Sequence, residues 1–124
     1  MAELAPYAGA NLLSFNSTNA AIARGARVVL DSSQTVSAAG ATVRGEGVAM
    51  YAGAALAPLA VGVFQSGGVL PCIGDAAIAI NTAVYSAASG KVSATSTNAV
   101  LIGKAFTACT ADGTLFSVLI ENPV

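Results

Sequence analysis

The chain has 124 residues, with five Lys and Arg together, six Asp and Glu, and no His; 55% of it is apolar and only 9% charged. A net charge of −1 lacks the basic footprint of a nucleic-acid binder, and without His the commonest general base and metal ligand are gone. High apolar content with little charge is also the reverse of a disordered composition, so the arithmetic points to a small folded module with no cofactor, metal or small-molecule substrate.

Residues 1–19, MAELAPYAGANLLSFNSTN, read as an N-terminal arm or edge segment. Tyr7, Leu12, Leu13 and Phe15 stand there among Asn, Gly, Ser and Ala. Two readings stand side by side: a frayed terminus with an edge strand at LLSF, or an arm that lays those side chains on a neighbouring subunit. Residues 20–124 read as a single β-rich domain. Short runs rich in Val, Ile, Leu, Thr and Tyr alternate there with Gly, Ser, Asn and Asp. Strands are expected at Ala26–Asp31, Gly47–Ala52, Leu59–Gln65, Ala83–Ser86, Lys91–Ala94, Ala99–Phe106 and Leu115–Glu121. Ser66-Gly67-Gly68 and Asp112-Gly113 read as turns, and Ser89-Gly90 as a hairpin turn. Ala52–Ala57 allows one short helix, which Pro58 would end.

The chain also matches itself. A shift of 56 positions lays residues 21–50 over 77–106 without a gap. Ile22 meets Ile78, Val28 meets Val84, Val36 meets Val92, Ser37 meets Ser93, and Gly47 meets Gly103. Ala identities are cheap in a chain that is roughly a quarter Ala, so the Ile, Val and Gly matches carry the weight. They predict an internal duplication, 21–50 against 77–106, and two related β units on one core.

Ala buries little more than a methyl group, and a domain of this size has much surface for its volume. A weak core under a sparsely charged surface predicts burial against further subunits. The uncharged run from Gly47 to Gly74 is long enough to be weighed as a membrane span. Its Gly and Ala content, Pro58, and the alternation of Leu59, Val61 and Val63 favour a sheet instead. Leu4–Ala23 has no basic start and contains Pro and Asn, so it is a poor secretory signal. Cys72 and Cys109 could form one bridge; free, buried thiols are the simpler reading.

No constellation of residues points to a reaction. Lys91 and Lys104 lie in strand-like runs where an outward Lys is solvated, and the carboxylates are dispersed. Arg24, Arg27 and Arg44 are too few for a nucleic-acid surface; they suit pairing with carboxylates across a subunit boundary. A carbohydrate-binding sandwich would use aromatic platforms, but there is no Trp, and core packing accounts for Tyr51 and Tyr85.

The C-terminal half carries a resemblance. Gly68-Val69-Leu70-Pro71 reads as a turn, followed by the apolar Ala77–Ile80 and by Val84-Tyr85. Gly90-Lys91-Val92 then leads into a strand, Ile102-Gly103-Lys104-Ala105 follows, and a turn at Gly113 precedes Leu115–Ile120. In order and spacing, residues 20–121 resemble a family of small tailed-phage capsid cement, or head decoration, proteins, formerly a domain of unknown function. Asn81-Thr82 departs from the pattern where a Gly-containing turn is expected, and Asn can take the left-handed geometry instead.

The expected fold is mainly β: a small β-sandwich or barrel-like module with at most one short helix. The resemblance implies a virion protein on the outer surface of the capsid, made in the host bacterial cytoplasm. It also implies that the protein binds the major capsid protein, that it is a homo-oligomer, often a trimer, and that it has no catalytic residues. A receptor-facing head fibre or glycan-binding adhesion module on the same virion is the alternative.

Overall fold

The computed structural model describes residues 11–17, 20–32 and 35–122. Ten strands occupy Asn11–Ser17 (β1), Arg27–Ser32 (β2), Thr35–Ala38 (β3), Gly47–Ala49 (β4), Pro58–Val63 (β5), Val69–Ile73 (β6), Ala83–Ser86 (β7), Val92–Ser93 (β8), Leu101–Ala105 (β9) and Leu115–Ile120 (β10). β1 to β5 close into a barrel in the order β1-β3-β2-β4-β5, and β6 to β10 form a sheet in the order β6-β10-β9-β7-β8. The architecture is mainly β and barrel-like, with two β units in sequence.

The two units share one wiring. Reading β1 as β6, β2 as β7, and so on to β5 as β10 converts the barrel's cyclic order into that of the second sheet. The register agrees as well. Arg27↔Val48 and Val28↔Gly47 in the first unit correspond, at the shift of 56, to Ala83↔Lys104 and Val84↔Gly103 in the second. Val29↔Ser37 corresponds likewise to Tyr85↔Ser93. For the outer strands the shift is one residue larger. Ala49↔Val61 then becomes Ala105↔Val118, and Leu12↔Gly62 becomes Val69↔Leu119. The parallel pair Ser17↔Val36, part of the seam that closes the barrel, has its counterpart in an isolated parallel bridge, Gly74↔Val92, across the open edges of the second sheet.

Turns repeat too. Gly25 takes a left-handed φ of 84°, and its N–H donates to the Ala49 carbonyl at 2.7 Å. Its counterpart Asn81 takes a φ of 69°, and its N–H donates to the Ala105 carbonyl at 2.8 Å. A polar Asn tolerates this conformation better than most side chains do, so the departure at Asn81-Thr82 costs the fold little. Gly47 and Gly103 correspond in another way. A methyl group on Gly47 would overlap the Gly62 carbonyl, and one on Gly103 would overlap the Leu119 carbonyl. Glycine here lets two strands approach more closely than any side chain permits.

Alternation sets the faces. In β10, Phe116, Val118 and Ile120 are buried, while Leu115 and Leu119 are exposed. β4 is buried along its whole length because it separates two cores. Ala49 packs with Ile22, Val28, Val36, Leu59 and Val61 inside the barrel. Val48 turns the other way, into the larger cluster of Met50, Phe64, Leu70 and the second unit's interior. One apolar cluster thus spans the junction between the units.

Several expectations meet a different outcome. β1 pairs with β5 from Asn11 to Asn16 and with β3 at Asn16 and Ser17. This part of the 1–19 segment is barrel wall, paired on both sides, rather than a free arm or an edge. Tyr7 lies outside the described residues, as do the side chains of Leu12, Leu13 and Phe15. Ala52–Ala57 is not helical: Gly53 bridges to Ile22, Leu56 takes a left-handed φ of 60°, and Pro58 begins β5. Among the described residues the short helical turns are 3₁₀, at Phe64–Ser66 and Ala88–Gly90. Val69-Leu70-Pro71 is strand rather than turn. β6 pairs on one side only, with β10, and such an edge position tolerates Pro71.

Candidate functional site

Arg27 follows Ala26 and precedes Val28, both of which face the barrel core, so alternation turns it outward, toward the second unit. It is 0% exposed. Its Nε donates to the Lys91 carbonyl at 2.8 Å, its Nη1 to Val43 at 2.5 Å and Arg44 at 3.2 Å, and its Nη2 to Gly40 at 3.0 Å and to Ala87. The five carbonyls come from two loops, one per unit. Burial lowers the guanidinium from its usual range to about 10, offset in part by nearby Cys72.

Arg44 fastens the same junction from the barrel side. Its Nε donates to the Leu101 carbonyl at 3.1 Å, its Nη2 to Glu121 at 2.6 Å and Ile102 at 3.5 Å, and its Nη1 to Asn122 Oδ1 at 3.0 Å. Its guanidinium lies 5.0 Å from the Phe64 ring centroid, and partial burial lowers its pKa. The Asn122 side-chain amide donates to the Phe64 carbonyl at 2.8 Å, and the Gly90 N–H to the Ala39 carbonyl at 2.9 Å.

The expectation that Arg27 and Arg44 pair with carboxylates of another subunit is therefore corrected. Loops 39–44 and 87–91 present converging carbonyls; those of Lys91 and Gly40 also accept the N–H groups of Ala87 and Val43, and the five-donor fork of Arg27 bonds all five. Arg24 is different: it is exposed and lies 6.0 Å from the Tyr51 ring centroid. The structure does not bring the three arginines into one cationic site.

Both cysteines are free and buried. Burial pushes the Cys72 thiol up to about 12, with Arg27 acting in the opposite direction, and such a thiol is inert at neutral pH. The Cys109 thiol donates to the Ala111 carbonyl at 3.3 Å. Lys91 Nζ forms an exposed ion pair with Asp112 at 2.8 Å, linking two loops of the second unit. Among the described residues, no cluster of three or more Cys, Asp or Glu could hold a metal, and no helix is long and apolar enough to cross a membrane.

The feature that sequence reasoning missed lies on the outer side of β9 and β10. Ile80 is 60% exposed, Phe106 56% and Leu119 41%. With Asn81, Lys104 and Ala105 they line a groove of about 240 Å³. The available signal was in β10: its outward positions are Leu115, Ser117 and Leu119, where a solvated face would carry charge.

Two β units joined by an arginine seam, with an apolar face exposed on the second, define a mainly β module. The chain belongs to the phage cement protein family, whose model matches residues 8–121. It is accordingly a structural protein of the phage virion, associated with the capsid. Among solved structures it is similar to the head fibre gp8.5 N base of bacteriophage phi29, at 12% identity and a TM-score of 0.72, over 90% of this chain and 94% of that one. At that identity the likeness concerns the fold. No curated protein matches the chain.

Proposed function

We propose that this protein attaches to the outer surface of a phage head after synthesis in the host cytoplasm, binds the major capsid protein, and stabilises contacts between neighbouring capsid subunits. It does so as a homo-oligomer, with a trimer favoured, and without catalysis. The observation that carries this reading is the match to the cement protein family over residues 8–121. The surface is consistent with it: charged residues are few, and large apolar side chains such as Leu30, Tyr51, Leu56 and Phe106 are exposed. Such a surface is cheap to desolvate over a wide contact, and many symmetry-related copies make modest contacts add up.

The test compares heads with and without the protein under heating and under chelation. The proposal expects decorated heads to keep their DNA at a higher temperature. Equal resistance in the two preparations would refute it. A second reading, a head fibre base or glycan-binding module, draws on the likeness to the phi29 fibre base. Glycan-array binding by the purified protein would favour it, and the cement reading expects none.

A further inference from the structure

The groove on the second unit has a counterpart in the first. Under the register correspondence, Ile80, Asn81, Lys104, Phe106 and Leu119 stand where Arg24, Gly25, Val48, Met50 and Gly62 stand in the barrel. In the barrel that face is largely covered, and the cover is the second unit of the same chain. Val48 and Met50 are buried in the cluster that contains Leu70. A methyl group on Gly62 would fall 2.6 Å from Leu70 Cδ2, and one on Gly25 would fall 3.2 Å from Ile73 Cγ1 and overlap Leu115. The side of the second unit formed by β6 and the start of β10 therefore seats on the outer face of β4 and β5.

We propose that the exposed face of the second unit is the same docking surface left open, and that it takes the β1 side of the first unit of another copy of this chain. The occupant follows from the correspondence. What covers Gly25 within the chain is Ile73 and Leu115; the same positions in the first unit are Asn16 and Pro58, and both are exposed. The β1 position matching Leu70 is Leu13.

The exchange of bulk across the joint is complementary. The joint within the chain sets Gly25 against Ile73 and Leu115. The joint between copies sets the larger Asn81 against the smaller Asn16 and Pro58. Within the chain, loop 39–44 meets Ser86, whose hydroxyl donates to the Ala41 carbonyl at 2.5 Å. The same construction brings the counterpart loop 95–100 onto Leu30, which corresponds to Ser86 and is 45% exposed. This contact joins unlike faces head to tail, so each added copy leaves a further face open unless the rotation between copies closes a ring.

The inference rests on the homo-oligomer part of the proposed function and not on capsid attachment, so the test uses the isolated protein. Full-length protein in light scattering should show the mass of two or more whole chains of 12.1 kDa each. Phe106→Lys, at an exposed position, should reduce it to one chain with circular dichroism and melting unchanged. Asn16→Cys and Asn81→Cys chains, each tagged to a different mass, should form a mixed disulfide when oxidised together, and neither should dimerise alone. A single-chain mass for the wild type would overturn the proposal, as would an unchanged mass for Phe106→Lys. A disulfide formed by Asn81→Cys alone would overturn the head-to-tail geometry in favour of like faces meeting. Capsid binding by a protein that fails these tests would leave the cement reading standing.

Discussion

Replacing Arg27 by Met keeps the volume of the side chain and deletes all five donors. Five carbonyls lose a partner, and they divide by access to water. Gly40 and Val43 belong to exposed residues, so water can replace the guanidinium there. The half-buried Lys91 carbonyl keeps the Ala87 N–H at 3.0 Å, so the cost falls on the carbonyls of Ala87, which is buried, and Arg44, which is half-buried. A buried acceptor left without a donor costs about 1–3 kcal/mol, and a hydrogen bond to a charged group contributes about 1.5–3. Met also removes a charge that is itself costly to bury, which offsets part of the loss. The expected net destabilisation is about 2–4 kcal/mol out of the roughly 5–15 that hold a domain of this kind together. Urea unfolding followed by circular dichroism reads it as a lower midpoint at constant slope, since the exposed area is unchanged. Arg27→Lys should fall between the two, because an ammonium has three donors and no planar fork. A Met variant within about 0.5 kcal/mol of wild type would refute the claim that carbonyl capture by Arg27 fastens the two units.

Arg44→Ala should cost about 1–2 kcal/mol, because its site is more open, and should speed hydrogen exchange at Glu121, whose carbonyl it holds. Gly47→Ala and Gly103→Ala should each destabilise by about 3 kcal/mol or more, since the added methyl meets backbone that cannot move aside; soluble variants with wild-type midpoints would contradict this strand spacing. Neither thiol should react with an aromatic disulfide reagent in the native protein, and both should react in urea. Cys72 has a folded pKa raised from about 9 to about 12, so its contribution is complete below pH 9 and is lost as pH rises toward 12. The Cys72 contribution should fall by about 1 kcal/mol from pH 9 to 10, offset in part by Arg27, whose pKa lowered to about 10 acts in the opposite direction there; the difference in slope between wild type and Cys72→Ala reads it.

Much of the fold was legible because its signals are local. Short runs rich in Val, Ile and Leu between Gly, Ser, Asn and Asp marked β2, β5 and β10, and the dipeptides Ser89-Gly90 and Asp112-Gly113 marked turns. The match of residues 21–50 to 77–106 also falls where the two units share register. β3 and β6 were hidden for physical reasons. Thr35–Ala38 is short and polar on one side, and Pro71 disguises an edge strand as a turn. The Ala-rich stretch before Pro58 favoured a helix by propensity, but the Gly53–Ile22 bridge overrides it with a long-range pairing. Arg27 and Arg44 could not be placed from sequence, because their partners are backbone carbonyls and a carbonyl leaves no mark in composition. The groove at Phe106 was equally silent, since an apolar residue on an outer face reads the same as one in a core until the sheet is built.

The central claim is that the protein acts by covering a phage shell, and the most direct measurement is electron cryomicroscopy of heads lacking it, imaged after addition of the purified chain. The account predicts ordered density on the outer surface, at symmetry-related positions, with each oligomer touching more than one capsid subunit. Heads that stay bare at saturating protein, or density confined to the interior or the tail, would contradict it.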